Sequence, residues 1–98
     1  MSDLALFVEV QTVPGTRDAF LARLREHRAN VCANEPGCRQ FDILVPQGED
    51  DSVILCEVYA DAQALEDHDA APYFQAYRAD TAHMIANRRR VLCTVANT

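Results

Sequence analysis

Lysine and tryptophan are both missing from this 98-residue sequence, glycine occurs only three times, and no purely apolar run exceeds a few residues. Each absence narrows what the chain can be. Crossing a bilayer as a helix takes about 20 consecutive apolar residues, so no membrane partner is expected. All nine cations are arginines, set against fifteen acids, and the net charge of −6 repels a phosphate backbone. Nucleic acid is therefore set aside as a partner. The opening "MSDLALFVEV" lacks the basic start and small-residue cleavage site of a secretory signal, so a cytoplasmic location is expected.

The chemistry-bearing motifs are equally sparse. His27, His68 and His83 show no HxH, HxxxH or HExxH spacing, and Cys32, Cys38, Cys56 and Cys93 form no C-x-x-C pair, so no metal site is predicted. The cysteines are read as reduced, with Cys56 and Cys93 packing inside apolar runs and Cys38 packing at a strand start. No Gly-x-Ser-x-Gly elbow is present, and Ser52 lies in a polar loop. Nothing supports a nucleophilic hydrolase.

What is present is a clear alternation of elements in a single domain spanning 1–98. Residues 4–11, "LALFVEVQ", read as a strand closed by Pro14-Gly15. Thr16 is placed to cap a helix whose Phe20, Leu24, His27 and Val31 recur at helical spacing, ending near Asn34. "CRQFDILV" (38–45) alternates Phe41, Ile43 and Val45 with Gln40 and Asp42, and "VILCEVY" (53–59) follows a polar turn, which predicts an antiparallel hairpin. Asp61 is placed to cap a short helix with Ala64, Leu65 and His68. Pro72 starts a second helical segment carrying Phe74, Tyr77, Thr81 and Ile85. Arg88-Arg89-Arg90 reads as positive charge complementing a helix C-terminus, with "RVLCTV" (90–95) as the last strand.

Strand, helix, strand, strand, helix, strand is the order of an α+β, ferredoxin-like split β-α-β fold: a four-stranded antiparallel sheet with helices on one face. The first strand carries apolar groups in both parities, Leu6, Val8 and Val10 on one side and Ala5 and Phe7 on the other. A 98-residue chain buries only roughly 60–65% of its unfolded surface. A second copy packed sheet to sheet would cover the open face, so a homodimer is expected.

Three segments in order, "NEPGCRQFDIL", "LCEVYADAQALEDH" and "APYFQAY", resemble the antibiotic biosynthesis monooxygenase domain family in its quinol-monooxygenase and autoinducer-processing branch. The resemblance covers residues 4 to 95 and implies a dimeric α+β barrel. It is carried by Glu35-Pro36-Gly37-Cys38 with Phe41, by Glu57 with Tyr59, and by Leu65, His68, Pro72 and Phe74. Relatives of this kind include oxygenases that need no metal or flavin, haem-degrading enzymes and an isomerase of a phosphorylated autoinducer. The haem branch has a Trp where His68 falls, an axial His where Arg78 falls and an Asn in the first strand, and this sequence has none of them. Arginine cannot replace that ligand, because its guanidinium has no free lone pair at neutral pH.

The reading that follows is a cofactor-independent monooxygenase of a small phenolic or quinol-type substrate, with no metal, flavin or haem. His68 is the expected catalytic base: it matches the branch histidine, and a helix C-terminus with Glu66, Asp67 and Asp69 nearby favours its imidazolium. His27 and Asn30 are expected to orient the substrate from the first helix. Glu57, Tyr59, Tyr73 and Phe74 are expected to complete the binding pocket. Two alternatives stand beside it. An isomerase of a small hydroxy-ketone would use the same His68 and hold a phosphate through Arg39 or Arg78; a non-catalytic small-molecule-binding or stress-response module would use the pocket alone.

Overall fold

The computed structural model describes residues 3–97, so the outermost residues of the expected 1–98 domain lie outside the described residues. Four strands, β1 (Leu4–Thr12), β2 (Cys38–Leu44), β3 (Ser52–Tyr59) and β4 (Ile85–Thr94), form one antiparallel sheet in the order β2-β3-β1-β4. Three helices join them: α1 (Arg17–Asn34), α2 (Ala62–Ala70) and α3 (Pro72–Thr81), followed by a short 3-10 turn at Ala82–Met84. This is the α+β, ferredoxin-like arrangement that the element order predicts.

Alternation along β1 sets the layers. Leu6, Val8 and Val10 are buried under the helices, opposite Glu57, Leu55 and Val53 of β3. Ala5 and Phe7 point the other way, opposite Val58 and Cys56, and are only half-buried. The helices answer with Phe20, Leu24 and Val31 of α1, each fully buried, and with Leu65, Phe74 and Tyr77 of α2 and α3. Burying a side chain of this size stabilises the fold by about 1.5–3 kcal/mol.

The two short helices meet at one residue. Asp61 caps α2 through a 2.8 Å hydrogen bond accepted from the Ala64 amide, and Ala71 serves as both the last cap of α2 and the first of α3. Pro72 forces the residue before it out of the helical region, and Ala71 is extended at φ −63°, ψ 135°. The bend turns His68 and Phe74 toward a common space.

Three expectations are corrected. Arg88, Arg89 and Arg90 do not end a helix; they lie in β4, which begins at Ile85 rather than at residue 90. An edge strand tolerates such charge, and here it alternates: Arg89 lies opposite Glu9 on β1 and pairs with it at 3.6 Å, while Arg88 and Arg90 face the helices. Thr16 occupies the N-cap position of α1 without capping it, because its hydroxyl donates to the Val13 carbonyl at 2.7 Å. All four cysteines are free, yet Cys56 and Cys93 lie outside the core. Period-2 alternation places them on the open sheet face beside Phe7 and Ala5.

Candidate active site

Gly37 fixes how closely the α1–β2 loop approaches α2. A β-carbon there would come within 2.6 Å of the Ala64 side chain, so only glycine permits the contact, which is fastened by a 2.8 Å bond from the Ala60 amide to the Gly37 carbonyl. The consequence is chemical. Glu35, two residues earlier, is brought against His68 on α2.

His68 lies between two carboxylates, and neither comes from its sequence neighbours. Its Nδ1 is 3.0 Å from Glu35 Oε1, and its Nε2 is 3.7 Å from Glu57 Oε1 of β3. A carboxylate accepts hydrogen bonds, so Glu35 holds the hydrogen on Nδ1 and leaves Nε2 turned toward Glu57. Two tyrosines close the chain: Tyr73 donates to Glu35, and Tyr59 donates to Glu57 Oε1 at 2.5 Å. Glu66 and Asp67 are exposed on the outer face of the helix, and Asp69 pairs instead with Arg90 at 3.2 Å. Helical spacing explains it, because residues one or two positions away cannot share a face with His68.

The electrostatics follow from burial. His68 is 2% and Glu57 4% exposed. Burial pushes the Glu57 carboxyl above its ordinary range, opposed in part by the Tyr59 hydrogen bond and by the neighbouring His68, Arg90 and Arg88. Burial and then the Glu57 charge push the Tyr59 phenol far up, and burial and then the bond to Glu35 do the same to Tyr73. Both tyrosines are donors here. The Cys38 thiol is raised to about 11 by burial, in keeping with packing rather than nucleophilic chemistry.

Beside this network lies a cavity of about 230 Å³, lined by Glu57 and His68, by the rings of Phe41, Phe74 and Tyr77, and by Arg78 and Arg88, among others. His27 of α1 also lines it. Its ring stacks on Tyr77 at 4.3 Å with an 8° interplanar angle and stands 5.5 Å from the His68 ring. Its Nδ1 is buried without a hydrogen-bond partner among the described residues. Burial, then the neighbouring His68 and Arg23, lower the His27 pKa to about 4, so this second imidazole is neutral at pH 7.

Of the seven residues expected at the site, His27, Glu57, His68 and Phe74 line the cavity, while Tyr59 and Tyr73 are not among its lining residues and instead donate to Glu57 and Glu35. Asn30 does neither. It lies three residues after His27, roughly 60° around the helix at about 100° per residue, which carries it off the buried stripe into solvent. Arg39 is also remote from the cavity, paired with Asp3 at 3.2 Å, and His83 is exposed in the 3-10 turn. The sequence reading missed Glu35, Tyr77 and Arg88 as site residues. Glu35 had a legible signal, an acid in a Glu-Pro-Gly turn between two elements; Arg88 had none, because its side depends on the strand register. Among the described residues no group of His, Cys, Asp and Glu is placed to hold a metal ion.

Residues 4–80 match the family model described as antibiotic biosynthesis monooxygenase. No curated protein matches the sequence. Among solved structures, a proposed antibiotic biosynthesis monooxygenase from Nitrosomonas europaea is 21% identical, with a TM-score of 0.91 over 97% of this chain and 91% of that one. PA3566 from Pseudomonas aeruginosa is 22% identical, with a TM-score of 0.88 over 96% and 94%. Rv0793 from Mycobacterium tuberculosis is 24% identical, with a TM-score of 0.84 over 94% and 93%. At such identities these likenesses establish the shared fold.

Proposed function

The chain belongs to the antibiotic biosynthesis monooxygenase family, and from that membership we propose a cofactor-independent monooxygenase that oxidises a small phenolic or quinol-type substrate. The observation that carries the reading is His68, buried beside a cavity with Nδ1 held by Glu35 and Nε2 directed toward Glu57. Dioxygen reacts slowly with closed-shell organic molecules, so the protein must turn the substrate itself into the reductant. A base removes the phenolic proton; His68 Nε2 is that base, and Glu35 stabilises the imidazolium that forms.

The electron-rich phenolate then passes one electron to O2, and the phenoxyl radical and superoxide join through a new carbon–oxygen bond. Loss of the ring C–H proton with cleavage of the O–O bond gives a quinone and water. One oxygen atom enters the product, the other leaves as water, and the phenol supplies all four electrons. Phe41, Phe74 and Tyr77 form the apolar walls that keep the radical pair from bulk water. His27, uncharged, offers a hydrogen bond without adding a competing cation.

Each subunit of a homodimer would hold one such cavity, with the open sheet faces packed together in a soluble, cytoplasmic protein. An isomerase of a hydroxy-ketone could use the same His68, and oxygen consumption separates the two. Oxygen uptake with a panel of small hydroquinones and naphthols is expected for the native protein. In His68→Ala it is expected to fall by roughly 10²–10⁴ while the fold is retained. Substrate-dependent turnover without oxygen uptake, or full activity in His68→Ala, would sink the reading.

A further inference from the structure

Two arginines line the cavity with no carboxylate at ion-pair distance among the described residues, Glu57 standing on the same cavity beyond that reach. Arg89 pairs with Glu9 and Arg90 with Asp69, but Arg88, between them in sequence, makes no ion pair or hydrogen bond among the described residues. Arg78 of α3 lies on the same cavity, its guanidinium 5.8 Å from the centre of the Phe74 ring, again with no acid beside it. In a chain with fifteen acids and a net charge of −6, two unpaired cations meeting at one cavity need a reason. Arg88 is half-buried; burial and then the neighbouring Arg78 work against its charge, and the more distant Glu57 carboxylate offsets this only in part. A buried guanidinium is costly unless an anion meets it.

The strand register places this cationic end relative to the base. Arg88 lies opposite Val10 of β1, and Glu57 lies opposite Leu6. The four residue steps from Leu6 to Val10 span roughly 13 Å of strand at about 3.3 Å each, a distance that the long arginine side chain shortens. The cavity thus has an acid–base end at His68 and Glu57, a cationic end at Arg88 and Arg78, and aromatic walls between. Its volume of about 230 Å³ suits a single ring.

We propose that Arg88, with Arg78 at the rim, binds an ionised acid group of the substrate, which is a small hydroxylated ring carrying a carboxylate, its hydroxyl toward His68 and its carboxylate toward Arg88. This rests on the functional reading above and narrows its substrate class. The guanidinium fork matches a carboxylate through two parallel hydrogen bonds, which a single point charge does not. The same contact orders the ligand along the cavity, so a neutral hydroquinone lacks the hold that fixes which hydroxyl meets the base.

The test is anaerobic calorimetric titration of the full chain with hydroquinone, 2,5-dihydroxybenzoate and 4-hydroxyphenyl phosphate. The acid is expected to bind at least about tenfold more tightly than hydroquinone, the scale of one charge-assisted contact. That preference is expected to collapse to near unity in Arg88→Gln, to shrink a few-fold in Arg78→Gln, and to weaken as salt is raised. If the phosphate ester binds more tightly than 2,5-dihydroxybenzoate, the carboxylate assignment is overturned and phosphate takes its place at the cationic end. Equal affinity for all three ligands in the native protein, or an undiminished preference in a folded Arg88→Gln, overturns the proposal. Should Arg88→Gln fail to fold, the native comparison and Arg78→Gln, an exposed position, still decide. Binding without oxygen needs no turnover. Tight acid binding with no oxygen uptake in air would therefore remove the oxygenase reading and leave this one intact.

Discussion

The two faces of the single sheet are built from alternate residues of the same strands, yet they hold opposite kinds of chemistry. Under the helices, Leu6, Val8 and Val10 surround buried polar groups, Glu57 and Tyr59 on β3, which reach His68 and through it Glu35. On the other face, Ala5, Phe7, Ile54, Cys56, Val58 and Val91 form a half-buried apolar patch flanked by Gln40, Asp42 and Arg89. The covered face can afford buried charge because helices supply partners for it. The open face has no such cover within the chain, so its apolar groups suit a second copy and leave the site to the helices.

That contrast can be broken in either direction. His68→Ala on the covered face is expected to abolish most activity without changing molecular mass. Phe7→Asp, at the centre of the open face, is expected to do the reverse: weaken the proposed dimer by at least about 100-fold, roughly 3 kcal/mol, because a charge would be buried unpaired at its interface. Light scattering at micromolar concentration reads this directly. A native protein already of about 11 kDa in solution would remove the dimer from the comparison altogether.

An effect of comparable size, read in stability rather than in mass, is expected from pH. The folded-state pKa of His27 is depressed from 6.5 to about 4, so as pH falls the unfolded chain takes up a proton that the folded chain refuses. The stability this histidine contributes is present above pH 6.5, is lost progressively between pH 6.5 and 4, and levels off below. The total is on the order of 3 kcal/mol, at about 1.4 kcal/mol per tenfold. His27→Phe, which removes the unpartnered nitrogen and keeps a ring against Tyr77, is expected to flatten that slope in urea titrations at stepped pH. An unchanged slope would show that His27 is not the group responsible.

The smallest effect lies at the element that carries His68. Asp61→Ala removes the cap of α2 and is expected to cost about 1 kcal/mol in urea denaturation. If the bond to Glu35 positions His68 independently of the helix start, activity in this variant stays within a few-fold of the native value.

The architecture was legible because it rests on local pattern. Period-2 alternation marks β2 and β3, helical spacing marks Phe20, Leu24, His27 and Val31, and Pro72 and Asp61 punctuate the helices where they fall. The polar first half of β4 was not legible, since Ile85 continues the spacing of α3 and three arginines in a row carry no strand signal. Pairing with β1 makes that segment a strand, and such pairing joins residues more than 70 positions apart, Val10 with Arg88 among them.

The sequence by itself determined the order of elements, the buried stripe of α1, the inward placement of His68 and the two-sided apolar character of β1, because each depends on spacing within one short segment. Only the tertiary structure decided which acids flank His68, that Glu35 turns inward, and that Arg88 faces the cavity while Arg89 and Arg90 find carboxylates. These are contacts between elements distant in sequence, fixed by strand register and by a glycine-sized gap between the Gly37 loop and Ala64. A one-residue slip in β4 would exchange Arg88 for Arg89 at the cavity, and no local propensity specifies that register.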